Sequence, residues 1–298
     1  MYTVLLHVLA PVLICIGIGF SWARRGVAYD TGFVSRLVMN VGAPCLIISS
    51  ITQVEISTTA MLQVSGAALG VVSGSAILAA IVVRFTGGEW RTLVPPVIFS
   101  NSGNMGLPLC LFAFGQEGLV LAVAYFLPLT VLHMSVGLFI VSNAEGGTFS
   151  RILHTVRQPI LISAVLACVM LMFNLSLPLW VKNTVDLLGG MTIPLMLITL
   201  GVSLATLHSS NWLQSLLYSV LRIGGGLALG IFFAHWFELE GAARNVVILQ
   251  AMLPAAVFNY LLAVGNNRQP ELVAGIVVTS TAMVFLVLPF VLPFLVNS

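Results

Sequence analysis

The sequence predicts an all-α polytopic membrane protein: ten transmembrane helices in two inverted five-helix repeats, helices four and nine broken, and both termini outside. Three observations predict it. The first is composition. Of 298 residues, 59% are hydrophobic and 7% charged, where a soluble domain carries about 25% charged residues. A large apolar core does not explain the deficit, because even a large soluble domain exposes much of its surface. The second is a succession of apolar segments, each near the ~20 residues that a bilayer-crossing helix needs. The third is an echo of the first half of the chain in the second.

Read in order, the segments are 3–23, 31–51, 59–84, 91–114, 118–142, 158–177, 179–207, 212–236, 242–264 and 271–296. The connections are short, the longest being "NAEGGTFSRILHTVR", so the chain reads as a single membrane transport domain, 1–298. "MYTVLLHVLA" has no basic leader, so the first segment is expected to stay as a span rather than be cleaved. Orientation follows from Lys and Arg in the loops. Odd-numbered connections carry Arg24, Arg25, Arg84, Arg91, Arg151, Arg157 and Arg268, and even-numbered ones carry Lys182 and Arg244. That bias places the odd connections in the cytoplasm. The net charge of +2 includes no basic run, which argues against a nucleic-acid partner. Cys15, Cys45, Cys110 and Cys168 lie in apolar segments and never form C-x-x-C; they read as small hydrophobes rather than metal ligands or disulfides.

The repeat emerges from position. The second segment holds "VGAPCLIISSI" and the seventh "MTIPLMLITLG", with Pro44 and Pro194 central in each. The third carries Gly66, Gly70 and Gly74, and the eighth Gly226 and Gly230, all at G-x-x-x-G spacing. The fourth opens at Arg91 and reaches Asn101 ten residues on; the ninth opens at Arg244 and reaches Pro254 after the same interval. Each match alone is weak, since G-x-x-x-G commonly means only close packing. Together and in the same order they define repeats 1–143 and 158–298, and an odd number of spans per repeat inserts the second upside down. Inverted repeats with interrupted helices at matching positions point to a transporter's binding site.

The interruptions are "SNSGNMGLPL" and "QAMLPAAVFN". In hydrocarbon every backbone N–H and C=O needs a partner, so a mid-membrane break survives only inside protein or beside a cavity. A lone proline reads best as a kink; two breaks at equivalent positions read as a site. The second half of each broken helix, near Gly106 and near Ala255, should present free N–H groups and a partial positive charge to an anion. Asn101 and Asn104 can add amide donors to a carboxylate or carbonyl oxygens to a cation. Gly103 and Gly106 loosen the first break, while Pro108 and Pro254 suit first helical turns, where a missing N–H costs little. Gln250 and Asn259 flank the second break as secondary ligands.

The remaining polar residues carry weaker expectations. His133 can carry a proton, although a packing role is the stronger reading. Arg222, about two turns into its segment, is expected to snorkel to the cytoplasmic surface. Asp186 reads as an interfacial residue or a partner for a cation. Gln63, Ser65, Ser73 and Ser75 read as cavity lining or as packing.

"NSGNMGLPL" resembles the N-x-x-x-M-G-x-P-L stretch of the auxin efflux carrier (PIN-like) family, and "LQAMLPAAVFNYLLAVGNNRQPELVAGIVVTSTAMVFLVLPF" resembles that family's last two spans. The resemblance covers the whole chain and is to the bacterial members, carriers of small organic anions such as malonate or malate in the inner membrane. It implies that helices four and nine cross. It also implies scaffold helices 3–51 and 158–207, moving helices 59–142 and 212–296, and a homodimer joined through the scaffold. Asn101 matches the family's crossover asparagine, Pro254 its second crossover proline and Pro108 the proline of M-G-x-P-L. The chain lacks the long cytoplasmic loop of the plant members, and Asn104 stands where they have a valine-like residue, which separates it from auxin itself.

The expected function is therefore secondary transport of a small organic anion by elevator-type alternating access. The substrate sits at the crossing against Asn101, with Asn104, Gln250 and Asn259 tuning selectivity. No cofactor or metal is expected, and H⁺, Na⁺ and membrane potential all stay open as the driving force. An intramembrane enzyme is disfavoured, because G-x-S-x-G, H-E-x-x-H and paired mid-span acids are all missing. A ligand-binding membrane sensor without transport is the alternative.

Overall fold

The computed structural model describes residues 2–53, 57–142, 158–172, 175, 177–207 and 211–296. The connection 143–157, with Arg151 and Arg157, lies outside the described residues, as does the side chain of Cys168. In chain order the helices are α1 (Tyr2–Arg24), α2 (Thr31–Leu37), α3 (Ala43–Gln53), α4 (Thr58–Thr86), α5 (Trp90–Ile98), α6 (Leu107–Leu132), α7 (Leu138–Val141), α8 (Pro159–Met172), α9 (Leu179–Gly190), α10 (Thr192–Thr206), α11 (Trp212–Trp236), α12 (Gly241–Ala251), α13 (Val257–Gly265) and α14 (Pro270–Val296). Wider π-helical turns at Val38–Gly42, Ser102–Gly106 and His133–Gly137 join or open several of them. No strand occurs among the described residues; a single antiparallel bridge pairs Ser100 with Ala255.

Local sequence sets the helix ends. Asp30 caps α2 by accepting from the Phe33 N–H at 2.9 Å, and Ser57 caps α4 by accepting from the Ala60 N–H at 3.1 Å. Gly87 stops α4 in the left-handed conformation (φ 68°), its N–H returning to the Val83 carbonyl, a position that disfavours any side chain. Gly115, at φ 68° and ψ −157°, divides α6 into two arms. The first arm continues segment four, and the second, with the His133–Gly137 turn and α7, forms segment five.

Among the described residues, seven helical stretches are long and apolar enough to cross a membrane. The chain is thus a polytopic membrane protein. The other three expected segments are the two interrupted ones and the sixth, whose described helix α8 has 14 residues. The interrupted ones are short because they are broken: α5 has 9 residues, α12 has 11 and α13 has 9. The outer surface is apolar, with Phe85, Phe290 and Phe294 exposed, as a lipid-facing surface requires. Intramembrane hydroxyls are spent locally: Thr130, Thr206 and Thr281 each donate to the carbonyl four residues earlier.

Packing partners fall into two groups. α1 lies on α10, and α3 lies on α8 and α9. Separately, α4 packs on α5, α6 and α11, and α11 on α12 and α14. Between the groups run the contacts of α6 with α1 and α3, and of the Ser102–Gly106 turn with α10. Without a hydrophobic difference between protein and lipid, helices associate through close packing of small residues. The glycine stripe of α4 does this: a Cβ on Gly66, Gly70 or Gly74 would run into Phe237, Phe233 or Leu229. In the first group the contact is backbone to backbone. A Cβ on Gly201 of α10 would overlap the Ile16 carbonyl oxygen of α1, and one on Gly19 would overlap that of Ile198.

Gly201→Ala should therefore destabilise the protein by about 1–3 kcal/mol, the usual cost of overpacking, since a main-chain carbonyl cannot rotate away. Gly224→Ala, with nothing within 4 Å of its added carbon, should leave stability unchanged or raise it by at most about 1 kcal/mol. Thermal unfolding in detergent measures both, and equal effects would refute the close α1–α10 approach.

Candidate functional site

The two breaks meet. Between α5 and the Ser102–Gly106 turn the chain is non-helical at Phe99–Asn101, and between α12 and α13 it is non-helical around Leu253–Ala256. These stretches pair antiparallel: the Asn101 N–H donates to the Pro254 carbonyl at 2.8 Å, and the Ala256 N–H to the Phe99 carbonyl at 3.0 Å. Backbone groups released by each break are thus satisfied by the other.

Side chains complete the joint. The Ala255 N–H donates to Ser280 Oγ of α14 at 3.1 Å. Asn259 Nδ2 donates to the Phe99 carbonyl at 3.1 Å, which turns its Oδ1 towards His133 Nε2, 2.8 Å away. That amide orientation requires the proton of His133 on Nε2. The imidazole stacks on Phe99 at 4.1 Å and meets Phe258 edge-on at 5.1 Å, so His133 packs the joint rather than standing in an open path.

Arg222 corrects an expectation. It lies ten residues into the 25-residue α11 (Trp212–Trp236), about 15 Å from the helix start at 1.5 Å per residue and close to the helix midpoint. It is 1% exposed and does not snorkel. Its guanidinium donates from Nη1 to the carbonyls of Val97 (2.6 Å) and Ile98 (3.1 Å), from Nε to that of Leu253 (3.1 Å), and from Nη2 to that of Ala251. One side chain caps both first halves, α5 and α12. Gly226, one turn on, makes room: a Cβ there would overlap the Ala251 carbonyl oxygen. An arginine inside an apolar segment, followed after Ile223 by Gly224, Gly225 and Gly226, is the available signal. Ser280 offered none beyond being a polar residue in an apolar segment.

The two second halves differ. Ahead of α13 the N–H groups of Ala255 and Ala256 are already bonded, those of Val257 and Phe258 head the helix, and Pro254 lies three residues before it rather than in its first turn. Pro108 does stand in the first turn of α6. At the first break the Met105 and Gly106 N–H groups return to the Asn101 carbonyl, while those of Ser102, Gly103 and Asn104 head the turn, where no helical carbonyl precedes them. Beside it, Asn101 Nδ2 is buried with no hydrogen-bond partner among the described residues, and the buried Gln250 amide has only the Cys110 thiol within reach. The Gln250 amide lies against Gly106, where a Cβ would collide with it, and Gly103 faces the Phe126 ring. From Phe99 to Cys110 only Asn104 is partly exposed.

A cavity of about 430 Å³ opens between the two packing groups, lined by Ser49, Ser50, Phe112, Gln116, Asp186 and Pro194 among others. Asp186 accepts from Ser49 Oγ at 2.5 Å. Three of the lesser candidates are spent on packing: Gln63 donates to the Phe237 carbonyl, Ser65 to that of Ala124 and Ser73 to that of Leu69. Ser75 is buried.

The model of a family described as membrane transport proteins matches this chain twice, over residues 4–150 and 146–292. The chain belongs to the membrane transport protein family. The motif resemblance to auxin efflux carriers agrees with that membership. An uncharacterized transporter of Methanothermobacter thermautotrophicus is 31% identical over 294 residues, covering 93% of this chain and 94% of its own. An uncharacterized transporter of Methanocaldococcus jannaschii is 24% identical over 198 residues, 64% of each chain. Family and relatives support a transporter in the membrane, and they point away from an enzyme.

In a background lacking the native cysteines, Asn104→Cys should react with a membrane-impermeant maleimide and Ser102→Cys, at a fully buried position, should not. Absence of labelling at position 104 would show that the first break does not present Asn104 to water.

Proposed function

We propose that this membrane transport family member carries a small organic anion, a carboxylate such as malonate or malate or an auxin-like acid, across the bilayer by elevator-type alternating access. The observation that carries the reading is the pair of buried amides beside a half-helix start, Asn101 Nδ2 without a partner and Gln250 with only a thiol in reach. Each buried polar group left without a partner costs about 1–3 kcal/mol. A carboxylate at the Ser102–Asn104 N–H groups would relieve the Asn101 donor and gain from the helix dipole. Asn104 then touches the substrate's outer edge. Gly103, Gly106 and Pro108 shape the turn, while Ala255, Pro254 and Asn259 hold it from behind through the bridge. Gln250, with both an acceptor and a donor, suits a substrate bearing a second polar group. The cavity borders the same half-helix through Leu111 and Phe112, while Asn101, Asn104 and Gln250 stand outside its lining.

In this reading the chain forms ten spans in two inverted repeats with both termini outside. Residues 3–51 and 158–207 are the scaffold, 59–142 and 212–296 move, and the protein is a homodimer through the scaffold in a bacterial inner membrane. The twofold family match and the two packing groups support this division. The crossing, stapled by Arg222, moves as one body.

Purified protein in liposomes should take up radiolabelled malonate, malate or indole acetate. Asn101→Ala should reduce that flux at least tenfold while thermal unfolding stays near wild type, because the lost group has no partner to strand. Saturable binding without flux would favour the sensor, and near-normal flux in Asn101→Ala would remove that residue from the site.

A further inference from the structure

Two helix C-termini aim at one point in the centre of the molecule. α5 brings the Val97 and Ile98 carbonyls, α12 and the residues after it bring those of Ala251 and Leu253, and the Arg222 guanidinium binds all four. A helix C-terminus carries about half an elementary negative charge, so two of them balance one guanidinium. Every hydrogen bond of Arg222 goes to the main chain, and its compensation comes from the backbone.

Converging carbonyls from half-helix C-termini are also a ligand set for a hard monovalent cation such as Na⁺. A cation is required there in any case, because leaving the carbonyls bare in hydrocarbon is costly. We propose that Arg222 is a built-in cation occupying the place that a coupling Na⁺ would take at this crossing. The wild-type protein then needs no metal ion there, and a protein truncated at Arg222 acquires a site for a small monovalent cation. Gly226 fits this role, since a Cβ there would stand 2.9 Å from Nη2 as well as against the Ala251 oxygen. Arg222 is thus a positioning residue: it holds two half-helix ends without reaching the Ser102–Asn104 N–H groups. Its consequence for transport, flux that does not depend on sodium, rests on the anion-carrier reading; the cation site does not.

The test uses the full-length protein and its thermal unfolding, with no substrate present. Wild type, Arg222→Ala, Arg222→Lys and Arg222→Gln are compared in choline chloride, NaCl, KCl and sub-denaturing guanidinium chloride at equal ionic strength. Wild type should have the same Tm in choline and in Na⁺. Arg222→Ala should melt lower in choline and recover on the order of 5 °C with Na⁺ or guanidinium, as expected for a ligand well above its Kd. Arg222→Lys should be indifferent to the salt and melt above Arg222→Gln. A specific stabilisation of wild type by Na⁺, or an Arg222→Ala protein that responds to no small cation, would overturn the proposal. If Arg222→Ala cannot be purified, the comparison of Lys with Gln decides, and equal Tm values would overturn it. In liposomes, wild-type flux should be unchanged when choline replaces Na⁺, and a Na⁺ requirement would contradict the proposal. Absence of flux for every anion would remove the carrier reading while leaving the unfolding result to stand or fall separately.

Discussion

Four main-chain carbonyls, released where two helices break, converge on the guanidinium of Arg222, and the centre of the molecule is arranged around that contact. In water such carbonyls would be solvated; in hydrocarbon each would cost several kcal/mol. Two half-charges from the helix ends match one positive charge, which makes burial of an arginine tolerable where an isolated one would be prohibitive. The glycines follow from it. Gly226 lets the Ala251 carbonyl reach the guanidinium, and Gly230 lets α12 lie close, since a Cβ there would press on the Ala251 side chain. With the carbonyl ends fixed, the non-helical residues beyond them are held side by side and form the Ser100–Ala255 bridge.

That bridge makes the two breaks unequal in chemistry although they match in sequence position. At the second, Ser280 takes the Ala255 N–H, the Phe99 carbonyl takes that of Ala256, and Asn259 ties the joint to His133, leaving the Val257 and Phe258 N–H groups at the head of α13. The first keeps an unbonded amide on Asn101 and faces the Gln250 side chain. The buried side-chain amide without a partner lies at the first break, and the side-chain ties lie at the second. The ion pair of Arg268 with Glu89 at 2.7 Å, with Arg268 also donating to the Val141 carbonyl, ties the start of α5 to the end of α7.

What was legible in the sequence depended on periodicity and composition. Apolar runs and a shortage of charge gave the membrane class, and the helix-disfavouring residues at 100–108 and near 254 marked both breaks. The pairing of those breaks is a contact between residues more than 150 positions apart, and no local pattern encodes it. Arg222 escapes a local reading for the same reason: an arginine in an apolar segment reads as a snorkelling side chain until the carbonyls that receive it are known. Pro254 looked like a first-turn proline by its company, yet the chain stays non-helical there because its carbonyl is needed by Asn101. The glycine stripe of α4 announced close packing but not its partner, α11. Asn101 and Asn104 were alike as letters; burial separates them, the first enclosed beside the bridge and the second reaching the surface.

The central claim is that the half-helix start at Ser102–Asn104, backed by the bridge, receives the anion. Hydrogen–deuterium exchange of the purified protein with and without saturating malonate or malate tests it most directly. The account predicts added protection concentrated in the peptide containing residues 100–106, with little change at 255–259, where the N–H groups of Ala255, Ala256 and Asn259 already have partners. Protection confined to the cavity around Asp186, with none at 100–106, would contradict it.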